Sequence, residues 1–124
     1  MKDTRPVNLN LTTIRFPLAA IASILHRISG IILFIGIAGL LYLLDLSLDS
    51  ASGFALVQTI MEGAVAKFVL WAVLSALAYH FVAGCKHLLL DWGFGESKSG
   101  AQLGASISLA ISVLLIALIG AWVW

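Results

Sequence analysis

The stretch ISGIILFIGIAGLLYLLDLSL, which is Ile28–Leu48, is an apolar run long enough to cross a lipid bilayer. A hydrocarbon core of roughly 30 Å requires about 20 helical residues. Two further runs, Ala66–Leu90 and Leu103–Trp124, meet the same requirement. Backbone N–H and C=O groups in lipid must be paired within the protein, which favours helices for such segments. The sequence therefore predicts an all-α integral membrane protein with three transmembrane helices.

The composition agrees with this fold class. Of the 124 residues, 61% are hydrophobic and 10% are charged, and the mean hydropathy of +1.08 lies outside the range of soluble globular proteins. The net charge of +1 gives no reason to expect a nucleic-acid partner. We expect residues 1–27 to form a cytoplasmic segment with the start of the first helix, and residues 28–124 to form the anchor domain, with residues 50–63 as a loop.

The distribution of charges predicts the orientation in the membrane. Four basic residues precede the first span, and mainly acidic residues follow it; they are Lys2, Arg5, Arg15 and Arg27 on one side, and Asp45, Asp49, Glu62 and the single Lys67 on the other. Cytoplasmic loops carry an excess of lysine and arginine, so the N-terminus should be cytoplasmic. The first apolar run begins too late to resemble a cleaved signal peptide and should remain as an anchor.

The second apolar run contains His80 near its middle, in a segment from Tyr79 to Asp91 that is unusually rich in ionisable groups. Such side chains are costly in hydrocarbon and are functional candidates by default. Three interpretations of His80 remain open at this point: a hydrogen-bonded structural residue, a member of a proton path, and an axial ligand of a haem iron. Asp91, at the end of the run, could be a cap, an ion-pair partner or part of a path for proton delivery.

A haem at His80 would require a second axial ligand. His87 follows seven residues later and lies on nearly the same helix face, but about 10.5 Å away along the axis, so both cannot bind one iron. No other histidine of the first or third span is expected at the depth of His80. A partner chain is therefore implied. Gly84 lies one turn after His80, and its lack of a side chain suits either a flat macrocycle or close helix packing.

A basic and hydroxyl-bearing cluster is expected at the cytoplasmic face. Ser23, His26 and Arg27 are spaced so that they occupy adjacent turns of one helix, and Lys86 and His87 reach a similar depth from the second span. The cations could extend to phosphate head groups. Alternatively, they could bind haem propionates or a carbonyl group, with Ser23 donating a hydrogen bond.

Two blocks of this sequence resemble known signatures. The first consists of RPVNL at 5–9, IRFP at 14–17 and SILHRISG at 23–30, and the second is HFVAGCKH at 80–87 with Asp91. Together they resemble the cytochrome b556 subunits of succinate dehydrogenase, and the likeness extends over nearly the entire chain. It is closest to the proteobacterial form.

The resemblance implies a membrane anchor of succinate:ubiquinone oxidoreductase, respiratory complex II, in a bacterial inner membrane. Such a subunit binds haem b and helps to reduce ubiquinone with electrons that arrive from succinate through iron–sulfur centres. The implied partners are a second small anchor subunit, an iron–sulfur subunit and a flavoprotein subunit.

Individual site residues follow from the same resemblance. His80 matches the axial haem ligand, with the other axial histidine supplied by the second anchor. Ser23 and Arg27 match residues of the ubiquinone site, while His26, Arg27 and His87 match residues near the haem propionates. Lys86 departs from the family, which usually has arginine there, and lysine lacks the planar fork that binds a carboxylate at two points.

Two alternatives share this architecture. The anchor of a menaquinol-linked fumarate reductase would run the chemistry in reverse, and the quinone that copurifies would distinguish it. A non-catalytic assembly or transport subunit would use His80 in packing or proton movement, and would lack both haem and an associated flavoprotein.

Overall fold

The computed structural model describes residues 9–10 and 12–124, and four helices make up most of them. Their bounds are Leu18–Asp49 (α1), Ala51–Glu62 (α2), Ala64–Asp91 (α3) and Lys98–Val123 (α4). Helices α1, α3 and α4 are long and apolar enough to cross a membrane, and no strand occurs in the described ranges. The predicted all-α fold with three spans is confirmed. Of the RPVNL block, all but Leu9 lies outside the described residues, as do Lys2 and Arg5.

The first helix begins well before the predicted span. Pro17 occupies the position before its first turn, and α1 then runs without interruption from Leu18 through His26 and Arg27. Proline is well suited to a helix start because its missing N–H would be unpaired there in any case. The predicted span starts at Ile28 because Arg27, directly before it, is charged. The helix itself includes Arg27 and begins at Leu18. His26 therefore lies about 12 Å inside α1 by helical rise.

The segment expected to be a loop between the first two spans is instead the helix α2. Ser50 starts it, because its hydroxyl oxygen accepts a hydrogen bond from the Gly53 N–H at 3.0 Å, a common way to satisfy a free helical donor. At 12 residues, α2 is about 18 Å long and too short to span the hydrocarbon core. The prediction of a loop was wrong because a short helix carries no membrane-length hydropathy signal.

Small side chains dominate the buried positions, as is common where transmembrane helices approach closely. The buried residues other than glycine are Ala22, Ser29, Leu33, Val73, Ala76, Tyr79, Ala83, Ala105, Ser108 and Ser112. Between α3 and α4, the Trp71 indole N–H donates to the Ile116 carbonyl at 3.1 Å. A Cβ atom at Gly120 would lie only 3.1 Å from the Trp71 indole nitrogen, so glycine makes room for this ring.

A hydrogen bond joins the start of α1 to α4, and two glycines shape the turn between α3 and α4. The N-terminal turn of α1 has no side-chain cap of its own, and the Gln102 side chain of α4 accepts a hydrogen bond from the Ala19 N–H at 3.2 Å. In the turn between α3 and α4, which precedes Gln102, Gly93 and Gly95 adopt φ angles of +87° and +78°. These left-handed conformations favour glycine because it has no Cβ.

The chain alone covers little of its own apolar surface. In the most apolar 18-residue stretch of each span, the buried share is 6% in α1, against 17% in α3 and in α4. Large side chains such as Phe34 and Phe81 are mainly exposed. The helices therefore present broad faces to lipid or to other membrane subunits.

Replacement of Gly36 by alanine should destabilise the contact between α1 and α3. A Cβ atom there would lie 2.6 Å and 2.8 Å from the two γ-methyl carbons of Val73, and that buried, β-branched side chain has few alternative rotamers. We expect a loss of about 1–3 kcal/mol, as is typical of an overpacked core. Thermal unfolding of the detergent-solubilised native assembly would measure it.

Gly39→Ala is the matched control, because a Cβ atom at Gly39 meets nothing within 4 Å. Equal stability of the Gly36→Ala and Gly39→Ala variants would contradict the close packing described here.

Candidate functional site

The relative position of α1 and α3 is defined by a buried hydrogen bond. The Tyr79 hydroxyl donates to the Ala22 carbonyl oxygen at 2.7 Å, and both residues are buried. A buried phenol normally needs such a partner. This bond holds α3 against α1 immediately before His80, the next residue of α3.

The His80 ring contacts two oxygen atoms of α1 through one nitrogen. Its Nδ1 lies 3.2 Å from the His26 carbonyl oxygen and 3.0 Å from Ser29 Oγ, while Ser29 donates its own hydroxyl proton to the same carbonyl at 2.7 Å. A carbonyl oxygen can only accept, so this arrangement places the proton on Nδ1. The other nitrogen, Nε2, keeps its lone pair and has no hydrogen-bond partner among the described residues.

The three histidines of the chain lie side by side. The His26 ring stacks on the His80 ring with a centroid distance of 4.1 Å and an interplanar angle of 18°, and its centroid is 5.2 Å from that of His87. The expectation that no other histidine lies at the depth of His80 was wrong, because α1 begins at Leu18 and brings the His26 ring against the His80 ring. His26 Nε2 is buried and has no hydrogen-bond partner within the described chain.

Beside these rings, α1 and α3 form a groove of about 520 Å³. Its lining residues are His26, Arg27, Gly30, Ile31, Phe34 and His80. The groove thus combines the imidazole of His80 and the guanidinium of Arg27 with apolar side chains. Gly30 faces the His80 ring closely, since a Cβ atom there would lie 3.2 Å from its Cε1. Gly84 instead faces His26, at an ordinary contact distance of 3.7 Å.

The remaining candidates do not all join this groove. Ser23 is half-buried one turn before it, and its hydroxyl forms no hydrogen bond within the described part of the chain. Lys86 approaches α4, where its Cγ would lie 3.8 Å from a Cβ at Gly104. Asp91 ends α3, is exposed, and forms no ion pair with any residue the structure describes.

Two contributors were missed from the sequence, Ser29 and Tyr79. In the sequence, Ser29 is one residue of the block 23–30 and Tyr79 is the first residue of the segment 79–91. Neither had an assigned role, because their roles depend on which helix they face. One local signal was present: Ser29 follows His26 by three residues, the spacing at which a serine hydroxyl reaches back to a carbonyl of its own helix.

Comparison with known proteins identifies the relatives of this chain. The sequence model of the family "Succinate dehydrogenase/Fumarate reductase transmembrane subunit" matches residues 1–119. The succinate dehydrogenase cytochrome b556 subunit of Coxiella burnetii is 41% identical over the full length of both chains. That of Paracoccus denitrificans is 32% identical over 93% of each, and the mitochondrial cytochrome b560 subunit of Dictyostelium discoideum is 36% identical over 90% of this chain and 58% of its own.

Loss of the Tyr79 hydroxyl should weaken the pairing of α1 and α3. Tyr79→Phe removes the bond to the Ala22 carbonyl, and we expect a cost of about 1 kcal/mol, which is typical of a buried hydrogen bond. Thermal unfolding of the solubilised native assembly would detect it. Tyr42→Phe is the control, because Tyr42 is 68% exposed; a loss no larger than in that control would contradict the role of Tyr79.

Proposed function

Because the chain belongs to the family of succinate dehydrogenase and fumarate reductase transmembrane subunits, we propose that His80 binds haem b and that ubiquinone is reduced beside it. The chain is a membrane anchor subunit of an oxidoreductase complex and is not catalytic on its own. Haem b is implied by the cytochrome b names of its relatives. The observation that carries the proposal is that His80 lines the groove between α1 and α3, while its Nδ1 contacts oxygen atoms of α1 and its Nε2 has no hydrogen-bond partner among the described residues.

The residues of the groove fit a haem. A neutral imidazole with its Nδ1 proton bonded to oxygen is the usual form of a histidine ligand, and Nε2 is then free to bind iron. Ile31 and Phe34 provide apolar surface for a porphyrin, and Arg27 provides a cation for a propionate. When bound, the haem supplies one-electron redox chemistry at membrane depth.

The second axial ligand must come from outside this chain. His26 stacks face to face on His80, so the two rings cannot point at one iron from opposite sides. His87 is seven residues further along α3, about 10.5 Å by helical rise. We assign the other ligand to a second small anchor subunit, which would cover the exposed side of the groove.

Two further partners would supply the electrons. Oxidation of succinate needs a flavin and a site for a dicarboxylate, and the described residues form neither. These belong to a flavoprotein subunit, and an iron–sulfur subunit would connect it to the anchor. The complex would reside in a bacterial inner membrane, in agreement with the bacterial relatives, with the N-terminus of this chain in the cytoplasm.

Ser23 and Arg27 are the residues that we assign to the quinone. The Ser23 hydroxyl, unlike that of Ser29, is not bonded to its own helix, so it can donate to a carbonyl oxygen of ubiquinone. The Arg27 guanidinium is exposed and can stabilise the negative charge that develops on this oxygen during reduction. His26, Arg27 and His87 would form the propionate side of the haem site.

Among the residues matched to the family by position, Lys86 fits a role at the haem site least well. It approaches α4 at Gly104, on a different side of α3 from the groove, so contact with a lipid head group suits it better. The relatives reported above are named as succinate dehydrogenase subunits, which does not favour a fumarate reductase anchor or a non-catalytic assembly or transport subunit.

The quinone assignment predicts a selective loss of activity. Ser23→Ala and Arg27→Leu should each lower the rate of succinate:ubiquinone reduction by at least tenfold, because about 1.4 kcal/mol of lost transition-state stabilisation corresponds to tenfold. Succinate oxidation with an artificial acceptor should remain intact. Steady-state assays of membranes with both acceptors measure this ratio.

Ser47→Ala is the control for that experiment, because Ser47 lies on the same helix and its hydroxyl is bonded to the Leu44 carbonyl. Parallel loss of both activities in Ser23→Ala and Arg27→Leu would contradict a role in quinone binding.

The haem assignment predicts a spectroscopic change. His80→Leu in the assembled complex should abolish or alter the b-type α-band of a dithionite-reduced minus oxidised spectrum, because leucine offers no ligand to iron. His87→Leu should retain a b-type band. An unchanged spectrum in the His80→Leu complex would remove His80 from the haem site.

A further inference from the structure

We propose that Ser29 is a positioning residue for His80. Together with the His26 carbonyl, its hydroxyl holds the imidazole in one orientation and keeps the proton on Nδ1, so that Nε2 is presented to the iron. This inference rests on the proposed function, because it assumes that His80 is the haem ligand.

Ser29 differs from the other hydroxyl groups of the spans. Many of them donate to a carbonyl of their own helix, as Ser108 does to Gly104 at 2.7 Å and Ser112 does to Ser108 at 2.7 Å. Ser29 makes the same kind of bond, to His26, and in addition lies 3.0 Å from a ring nitrogen of another helix. It is also buried, with 5% of its surface exposed.

The direction of each hydrogen bond follows from the atoms involved. The Ser29 proton points to the His26 carbonyl, so Ser29 Oγ faces His80 with a lone pair. The proton on His80 Nδ1 is then shared between two oxygen acceptors, at 3.0 Å and 3.2 Å. The opposite tautomer would place the Nδ1 lone pair against the lone pairs of a carbonyl in a medium without water, which is unfavourable.

These acceptors have an electronic consequence for the iron. Hydrogen-bond acceptors on the far nitrogen of a ligating histidine raise the basicity of the nitrogen that binds the metal. A more basic ligand stabilises the oxidised iron relative to the reduced iron. Removal of the Ser29 hydroxyl should therefore shift the haem midpoint potential to a more positive value.

The orientation of the ring has a steric component as well. A Cβ atom at Gly30 would lie 3.2 Å from His80 Cε1, a distance at which the ring must move by a few tenths of an ångström. Gly30→Ala should therefore also change the orientation of the His80 ring. Gly39→Ala is its control, because that position is open.

The test is a redox titration and a low-temperature EPR spectrum of the purified complex with all its subunits. We expect Ser29→Ala to retain haem, to shift the midpoint potential positively beyond the scatter of repeated titrations, and to change the g-values of the oxidised haem. Ser29→Thr, which keeps the hydroxyl, should restore the native values. Ser108→Ala, which removes a buried serine away from His80, should leave both measurements unchanged.

A Ser29→Ala complex with native potential and native g-values would overturn the inference, as would the same shift in Ser108→Ala. If Ser29→Ala does not assemble, Ser29→Cys, whose thiol is a weaker acceptor, is judged by the same two outcomes. The His80→Leu spectrum separates this failure from that of the haem assignment: loss of the b-type signal there, with a silent Ser29→Ala, refutes only the role of Ser29.

Discussion

The absence of water in the bilayer core governs the polar chemistry of this chain. Backbone groups are satisfied within helices, and serine hydroxyls such as Ser47, Ser108 and Ser112 are satisfied by carbonyls of the same helix. Against this background, an atom without a partner stands out. Among the described residues, the buried His26 Nε2 and Ser75 Oγ are such atoms. His80 Nε2 also has no hydrogen-bond partner there, and the His80 ring stacks on that of His26. A polar group that remains unsatisfied in hydrocarbon is either costly or reserved for a ligand, and for His80 we propose that this ligand is haem b.

The sequence was sufficient for the features that depend on one helix at a time. Hydropathy predicted the three spans, which the structure confirms. The placement of His80 within the second span made it a candidate site residue, and its role is the proposal made above. Features that depend on two helices were not predictable in this way. The stacking of His26 on His80, the Tyr79 bond and the double contact of Ser29 all require the rotation and register of α1 against α3, which residue periodicity does not encode. The helix α2 was missed because its 12 residues carry no span-length signal.

The proposed sharing of the haem site between two subunits is supported by the geometry of this chain. This chain holds one imidazole in a defined orientation and offers an open groove beside it, yet its other two histidines are placed where neither can complete the coordination of an iron. Its apolar faces are likewise mainly uncovered. In the function proposed above, this chain forms one half of the haem site, and association with a second membrane subunit would bury the groove and complete the ligand set.

The hydrogen bond between Gln102 and Ala19 bears on how the protein is made. The first turn of α1 is synthesised before the side chain that caps it, which lies 83 residues later on α4, after α2 and α3. Until α4 has inserted, the Ala19 N–H group lacks this side-chain partner. This hydrogen bond at the first turn of α1 can therefore form only after α4 has packed against α1, late in the synthesis of these helices.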